Sequence, residues 1–303
     1  METAFTFLGC RFEVLGDDPA MHRVVANFWA VPELADAPID TPTTIAIRHA
    51  GSLPEGFSTA YRNGPVDERR LVTITLGERA VVIGPALAAE ISRGQAGFVV
   101  DVFGDLSTEP LPVHVAISEG LAAGGFLPLH AGVVTRSGRT IAICGPSGAG
   151  KTTTSVLAVL EGARFVAEDS SWLHPGTMKV YGADAQLRLR SGAESILGER
   201  LRRDLGIDLG GLEHDGLKRL VPYELLGGRD RFARLDELIV LGPRDRPEVA
   251  GALRPAEVAM ALHQAAGIPL LASVRAARAA TIERIVAKLP ARRISSPSGH
   301  SGL

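Results

Sequence analysis

The chain has 303 residues, 46% hydrophobic and 22% charged, the balance of an ordinary folded protein of one large or two smaller domains. A formal net charge of -2 gives no global positive field, so neither a nucleic acid nor an anionic membrane is expected as the main partner. Two cysteines make no disulfide framework, no apolar run reaches a membrane span, and the start (Met1-Glu2) has no basic signal, so a reducing cytoplasmic setting is expected.

The sequence divides near residue 110 into a β-rich N-terminal domain (1–110) and a second domain (111–294), followed by a disordered tail (295–303) of Ser, Gly, Pro and His. Residues 4–14 read as one or two strands. Asp17-Asp18-Pro19 then offers a start for a helix over 20–30. Another strand is expected over 43–48, followed by a loop around 51–56. The runs 71–76 and 79–83 flank Gly77-Glu78 as a hairpin, and 99–103 is a last strand.

In the second part, 113–126 has the spacing of a helix packed on one face. The β-branched runs 130–136 and 139–144 surround Ser137-Gly138 and read as a hairpin, with His130 at the start of its first strand. A helix over 152–160 and a short strand over 164–167 follow. Further helices are expected over 193–205, 255–266 and 279–289, with strands over 186–190, 218–221 and 237–241. Strands alternating with helices imply an α/β architecture.

Between the hairpin and the helix lies Gly145-Pro-Ser-Gly-Ala-Gly150-Lys151-Thr152, which satisfies the G-x-x-x-x-G-K-[ST] pattern of a P-loop in full. In that reading Gly145, Pro146, Ser147, Gly148, Ala149, Gly150, Lys151, Thr152 and Thr153 cradle a nucleoside triphosphate. The backbone N–H groups and the helix N-terminus face phosphate oxygens, Lys151 reaches the β- and γ-phosphates, and the Thr152 hydroxyl ligates Mg²⁺. Cys144, just before the loop, reads as a small packed side chain.

Glu168 and Asp169 stand side by side at the end of the next strand, where ligands of α/β sheets gather. One carboxylate can hold Mg²⁺ while the other accepts a proton from a hydroxyl. Arg188 and Arg190 alternate along a strand, so they read as contacts to a phosphate or acidic peptide, or as a solvated face. Lys218 reads as a further cation at the triphosphate or as surface charge.

The run Leu127-Pro-Leu-His-Ala-Gly-Val-Val134, the P-loop and Phe165-Val-Ala-Glu-Asp169, in that order, resemble the HPr kinase/phosphorylase family, especially its short relatives such as the serine kinases of lasso-peptide gene clusters. The resemblance spans roughly 111–289. It implies a P-loop core like that of phosphoenolpyruvate carboxykinase, with ATP and Mg²⁺ as cofactors. It also implies that His130 sits beside the catalytic carboxylate. Where this sequence has Glu168-Asp169 the family has two aspartates, so the base is either Glu168, at the family's expected position, or Asp169. The family's Gly-rich signature for engaging HPr is missing after Asp169.

The expected activity is transfer of the γ-phosphoryl group to a serine or threonine hydroxyl of a peptide or protein. The alternatives are a small-metabolite kinase and a catalytically silent nucleotide-binding regulator. A homo-oligomer is left open.

Overall fold

The structure is a computed structural model that describes residues 3–16, 18–26, 43–67, 70–95, 97–108, 110–184, 186–214, 218–242 and 250–294. It is mixed α/β, and its contacts divide it into two units, residues 1–126 with 269–280 and residues 127–268 with 281–303. The expected tail over 295–303 and the continuation of the first helix to Ala30 lie outside the described residues. Among the described residues no helix is long and apolar enough to cross a membrane.

In the first unit, β1 (Thr3–Phe7) and β2 (Cys10–Leu15) form a hairpin, followed by α1 (Pro19–Ala26), β3 (Thr44–Gly51) and α2 (Glu55–Asn63). Then come β4 (Val72–Leu76), β5 (Arg79–Ile83), β6 (Leu87–Arg93), β7 (Gly97–Gly104) and α3 (Leu111–Ala123). The strands make one seven-stranded sheet in the order β1-β2-β3-β7-β6-β5-β4. Pairing is parallel for β2–β3 and β3–β7 and antiparallel elsewhere. The expected hairpin around Gly77-Glu78 is β4–β5. By contrast α2 and β6 have no counterpart in the sequence reading. Leu-Ala-Ala-Glu-Ile-Ser-Arg carries no strong strand signal, yet β6 is held between β5 and β7 with Leu87, Ala88, Ala89 and Ile91 buried. Tertiary burial overrides local propensity there. Contacts place α3 in this unit, so the division falls after Phe126 rather than near residue 110.

The second unit contains β8 (Leu127–Leu129), β9 (Gly132–Arg136), β10 (Arg139–Cys144), α4 (Lys151–Leu160), β11 (Arg164–Ala167), β12 (Ser171–His174) and β13 (Lys179–Gly182). It continues with β14 (Gln186–Arg190), α5 (Ser191–Leu205), β15 (Lys218–Pro222), β16 (Phe232–Arg234), β17 (Glu237–Leu241), β18 (Gly251–Ala252) and α6 (Pro255–Ala266). Helix α7 (Ala272–Val286) begins among residues of the first unit and ends in the second, before β19 (Ala291–Ile294). A six-stranded sheet runs β11-β9-β10-β17-β19-β18, a four-stranded one β16-β13-β12-β8, and β14 and β15 form a two-stranded one among the described residues.

Strand β10 is interior, antiparallel to β9 and parallel to β17. Its side chains alternate as the pleat requires. Ile141 and Ile143 join Val156 and Leu157 of α4 and Leu197 and Leu201 of α5 in one core. Ala142 and Cys144 join Val258 and Leu262 of α6 and Ile282 and Ile285 of α7 in another. Cys144 is thus a packed side chain, and burial pushes its thiol up to about 12. Layers on both faces fix the carboxyl end of β10, and the site begins there.

Candidate functional site

The glycine-rich loop leaves β10 at Gly145 and enters α4 at Lys151. Gly150 takes φ 99 and ψ 21 at the head of the helix, a left-handed conformation that favours glycine. Thr154 N–H makes a helical bond back to Gly150 O at 2.8 Å. The first N–H groups of α4 therefore face out of the helix start, where the macrodipole favours an anion. Pro146, Ser147 and Gly148 are exposed, Ala149 is buried with its N–H on Pro146 O at 3.2 Å, and Thr153 is buried inside α4.

Lys151 is 7% exposed, and its Nζ donates to Gly145 O at 3.0 Å and to Pro146 O at 3.4 Å. Burial lowers its affinity for a proton from the ordinary lysine value, while Asp169 and Glu168 pull the other way. The ammonium is folded onto its own loop. These neutral carbonyls are partners that an anionic oxygen can replace with a stronger bond, in which donor and acceptor are both charged.

Thr152 Oγ1 donates to Glu168 Oε1 at 2.5 Å. Glu168 is 2% exposed, and its other oxygen, Oε2, is buried with no hydrogen-bond partner among the described residues. Burial, reinforced by the neighbouring Asp169 charge, pushes the Glu168 carboxyl up to about 8 against the opposing Thr152 hydrogen bond. An orphaned carboxyl oxygen next to a hydroxyl becomes a hard oxygen donor set when a cation displaces the carboxyl proton. It fits Mg²⁺, which is commonly held by one or two protein groups together with phosphates and water. No group of three or more His, Cys, Asp or Glu is arranged to hold a metal ion by itself among the described residues.

Asp169 faces differently. Its Oδ1 lies 3.0 Å from Nδ1 of His130, with side-chain exposures of 33% and 54%. Burial acts to raise the Asp169 carboxyl, but the His130 hydrogen bond and charge, with Lys218 and Lys151, hold it below the ordinary aspartate value. His130 does not start a strand, as the sequence suggested. It lies in the link between β8 and β9, where its N–H bonds Ala265 O of α6 at 2.9 Å. Two residues on, a Cβ at Gly132 would collide with Ser155 Oγ of α4. Glycine there lets β9 lie close against α4.

Sequence reasoning missed Asp184, just after β13. Its Oδ2 accepts the N–H groups of Glu168 (2.8 Å) and Asp169 (3.1 Å), and its Oδ1 accepts that of Ser170 (2.9 Å). This one side chain clamps the turn that aims the acidic pair in two directions. Burial pushes its carboxyl up to about 6 despite the three donors. Arg229 Nη1 bonds Asp184 O, and its guanidinium lies over the Tyr223 ring at 4.9 Å. No local motif marks Asp184; a short polar residue after a strand most often reads as a turn.

The basic residues sort by register. Leu187 and Leu189 of β14 are buried, and Arg188 and Arg190 are exposed on the opposite face. Arg190 stands across from Lys218 in the β14–β15 ladder, and Arg188 across from Leu220. Cross-strand partners share a face, so Arg188, Arg190 and Lys218 form one cationic surface. Two of them act on the loop: the charge of Arg190 reaches Lys151, and that of Lys218 reaches Glu168 and Asp169.

No protein-family model matches the chain, and no curated protein matches it either.

Proposed function

We propose that this chain is an ATP- and Mg²⁺-dependent kinase with an HPr kinase-like P-loop core that phosphorylates a serine or threonine hydroxyl of a peptide or protein. The observation that carries the reading is the division of labour between two adjacent carboxylates beside a buried lysine: Thr152 with Glu168, His130 with Asp169. The order of these motifs, which resembles the short relatives of the HPr kinase family, supports the same reading.

In this mechanism the loop N–H groups, the α4 N-terminus and Lys151 bind the triphosphate. Thr152 and Glu168 would hold Mg²⁺, which would supply positive charge against the phosphates when bound. Asp169 accepts the proton of the acceptor hydroxyl as that oxygen bonds to the γ-phosphorus and the bond to the β-phosphate oxygen breaks, releasing ADP. Its depressed proton affinity keeps it ionised at neutral pH, and His130 orients it and offers an exposed route for the proton to leave. Glu168, although it stands at the family's expected base position, is buried on the Thr152 side and serves the metal. With Arg190 and Lys218 nearby, the γ-phosphoryl group has cations along one side as charge moves onto the leaving phosphate.

The test is incubation with ATP, Mg²⁺ and a serine- or threonine-containing peptide encoded beside this gene, read by mass spectrometry for one added phosphate. Asp169→Asn should bind ATP·Mg²⁺ and fail in transfer. ATP binding without transfer to any acceptor would favour a regulator, and turnover on a sugar or nucleoside without peptide would favour a metabolite kinase.

A further inference from the structure

Strand β4 is an outer strand of the seven-stranded sheet and is hydrogen-bonded to β5 alone among the described residues. The hairpin closes through the two-residue turn Gly77-Glu78, with Gly77 at φ 59. In such a hairpin the pair next to the turn exchanges both hydrogen bonds, and every second pair does so after it. Leu76, Ile74 and Val72 therefore turn their backbone groups toward Arg79, Val81 and Ile83, while Thr73 and Thr75 turn theirs to the open edge. That edge is bounded on both sides, since Gly77 O accepts Ala272 N–H and Leu71 O accepts Asp67 N–H, each at 3.0 Å.

The side chains of β4 do nothing to protect the edge. Val72-Thr-Ile-Thr-Leu76 contains no charge and no proline, and its register with β5 has no bulge. Natural sheets usually blunt an open edge with one of these devices. Thr73 and Thr75 are exposed, Ile74 is 45% exposed and Leu76 76%. Ile74 and Leu76 lie on the same face as Val72, which packs with Val81 and Ile83 against Phe57 and Tyr61 of the α2 side. The apolar seam under α2 thus runs out to the edge uncovered.

The strand is its own complement. Under a two-fold axis through Ile74, Thr73 meets Thr75 of the partner subunit, Ile74 meets the partner's Ile74, and Val72 meets the partner's Leu76. Both Thr–Thr pairs are then hydrogen-bonding pairs, so every outward backbone group of Thr73 and Thr75 is satisfied. Apolar residues oppose apolar ones, and no like charges meet. With no charge to select a charged ligand and a palindromic pattern to select itself, we propose that β4 is a homodimer interface. Two copies of the chain join these edges antiparallel, centred on Ile74, into one continuous sheet.

Two measurements on the full chain test this. Sedimentation equilibrium across the micromolar range should give the mass of two chains. Ile74→Lys, which sets two ammonium groups directly opposite each other, should weaken the dimer at least about tenfold with an unchanged circular dichroism spectrum. Register is read by oxidative cross-linking. The central pair is of the non-hydrogen-bonded kind, with Cα atoms about 4.5 Å apart, inside the disulfide range of about 4.4–6.8 Å. Ile74→Cys should therefore cross-link to itself. Leu76→Cys should not, because its copies lie about 14 Å apart along the strands at about 3.4 Å per residue. Cys10 and Cys144 are buried and add no background. A single-chain mass for the wild type, a fully dimeric Ile74→Lys, or Leu76→Cys cross-linking as readily as Ile74→Cys would each overturn the interface. Should Ile74→Lys fail to fold, the two cysteine variants decide the question.

Discussion

Asp184→Ala strips the acceptor from three backbone N–H groups in one turn, those of Glu168, Asp169 and Ser170. A hydrogen bond to a charged acceptor contributes about 1.5–3 kcal/mol, and an ordinary one about 1 kcal/mol. Burial raises the Asp184 carboxyl to about 6, so part of the gross gain is already offset by the cost of burying a charge. Taking about 1 kcal/mol per bond, the alanine variant should lose about 3 kcal/mol. Asp184→Asn separates the contributions. One carboxylate oxygen becomes an NH₂ that confronts a backbone N–H, so at least one bond is lost and a donor–donor contact replaces it, for about 1–2 kcal/mol. Urea titration at neutral pH, followed by the fluorescence of Trp172 in a Trp29→Phe background, reads the unit that holds the site, since Trp172 is 3% exposed in β12. If Asp184→Ala unfolds within about 0.5 kcal/mol of the parent, these N–H groups find water as easily as they find Asp184, and the clamp is not what holds the acidic pair.

Lys151→Ala should keep the fold and lower phosphoryl transfer on the order of a thousandfold or more, measured as ADP release, because the loop then has no cation for the γ-phosphate. Glu168→Gln should lose Mg²⁺ affinity first, whereas His130→Ala should slow transfer while leaving ATP binding intact, a contrast that calorimetry of Mg²⁺ and nucleotide binding resolves. The pH dependence of stability has a definite sign. Glu168 titrates near 8 when folded and at an ordinary 4.5 when unfolded, so the folded state holds the extra proton between those values. Its contribution is fully present below about 4.5 and is lost as pH rises toward about 8. Glu168→Gln should reduce the fall of the denaturation midpoint, most clearly between about 6 and 8, above the range in which the raised Asp184 carboxyl loses its own proton. Asp169 works in the opposite sense, adding stability above the ordinary aspartate value that disappears as pH falls through its depressed folded value.

Much of the site was legible because it is local in the chain. The spacing of Gly145, Gly150, Lys151 and Thr152 specifies a strand, a tight loop and a helix start over consecutive residues, and β10 and α4 take those places. The hairpins at Gly77-Glu78 and Ser137-Gly138 are likewise written in neighbouring residues, since two-residue turns require positive φ that Gly77 and Gly138 supply. That Glu168 and Asp169 end the strand after α4 follows from the same local pattern. Only the tertiary structure decided which way each carboxylate points. Thr152 takes one and His130 the other because folding brings α4 and the β8–β9 link to the same turn, and Asp184, brought in by β13, fixes that turn. Pairings such as β10 with β17, β6 between β5 and β7, and the return of residues 269–280 to the first unit are contacts between distant segments. A residue's own propensity cannot encode them, because which strand lies beside which depends on how all the apolar faces are buried at once.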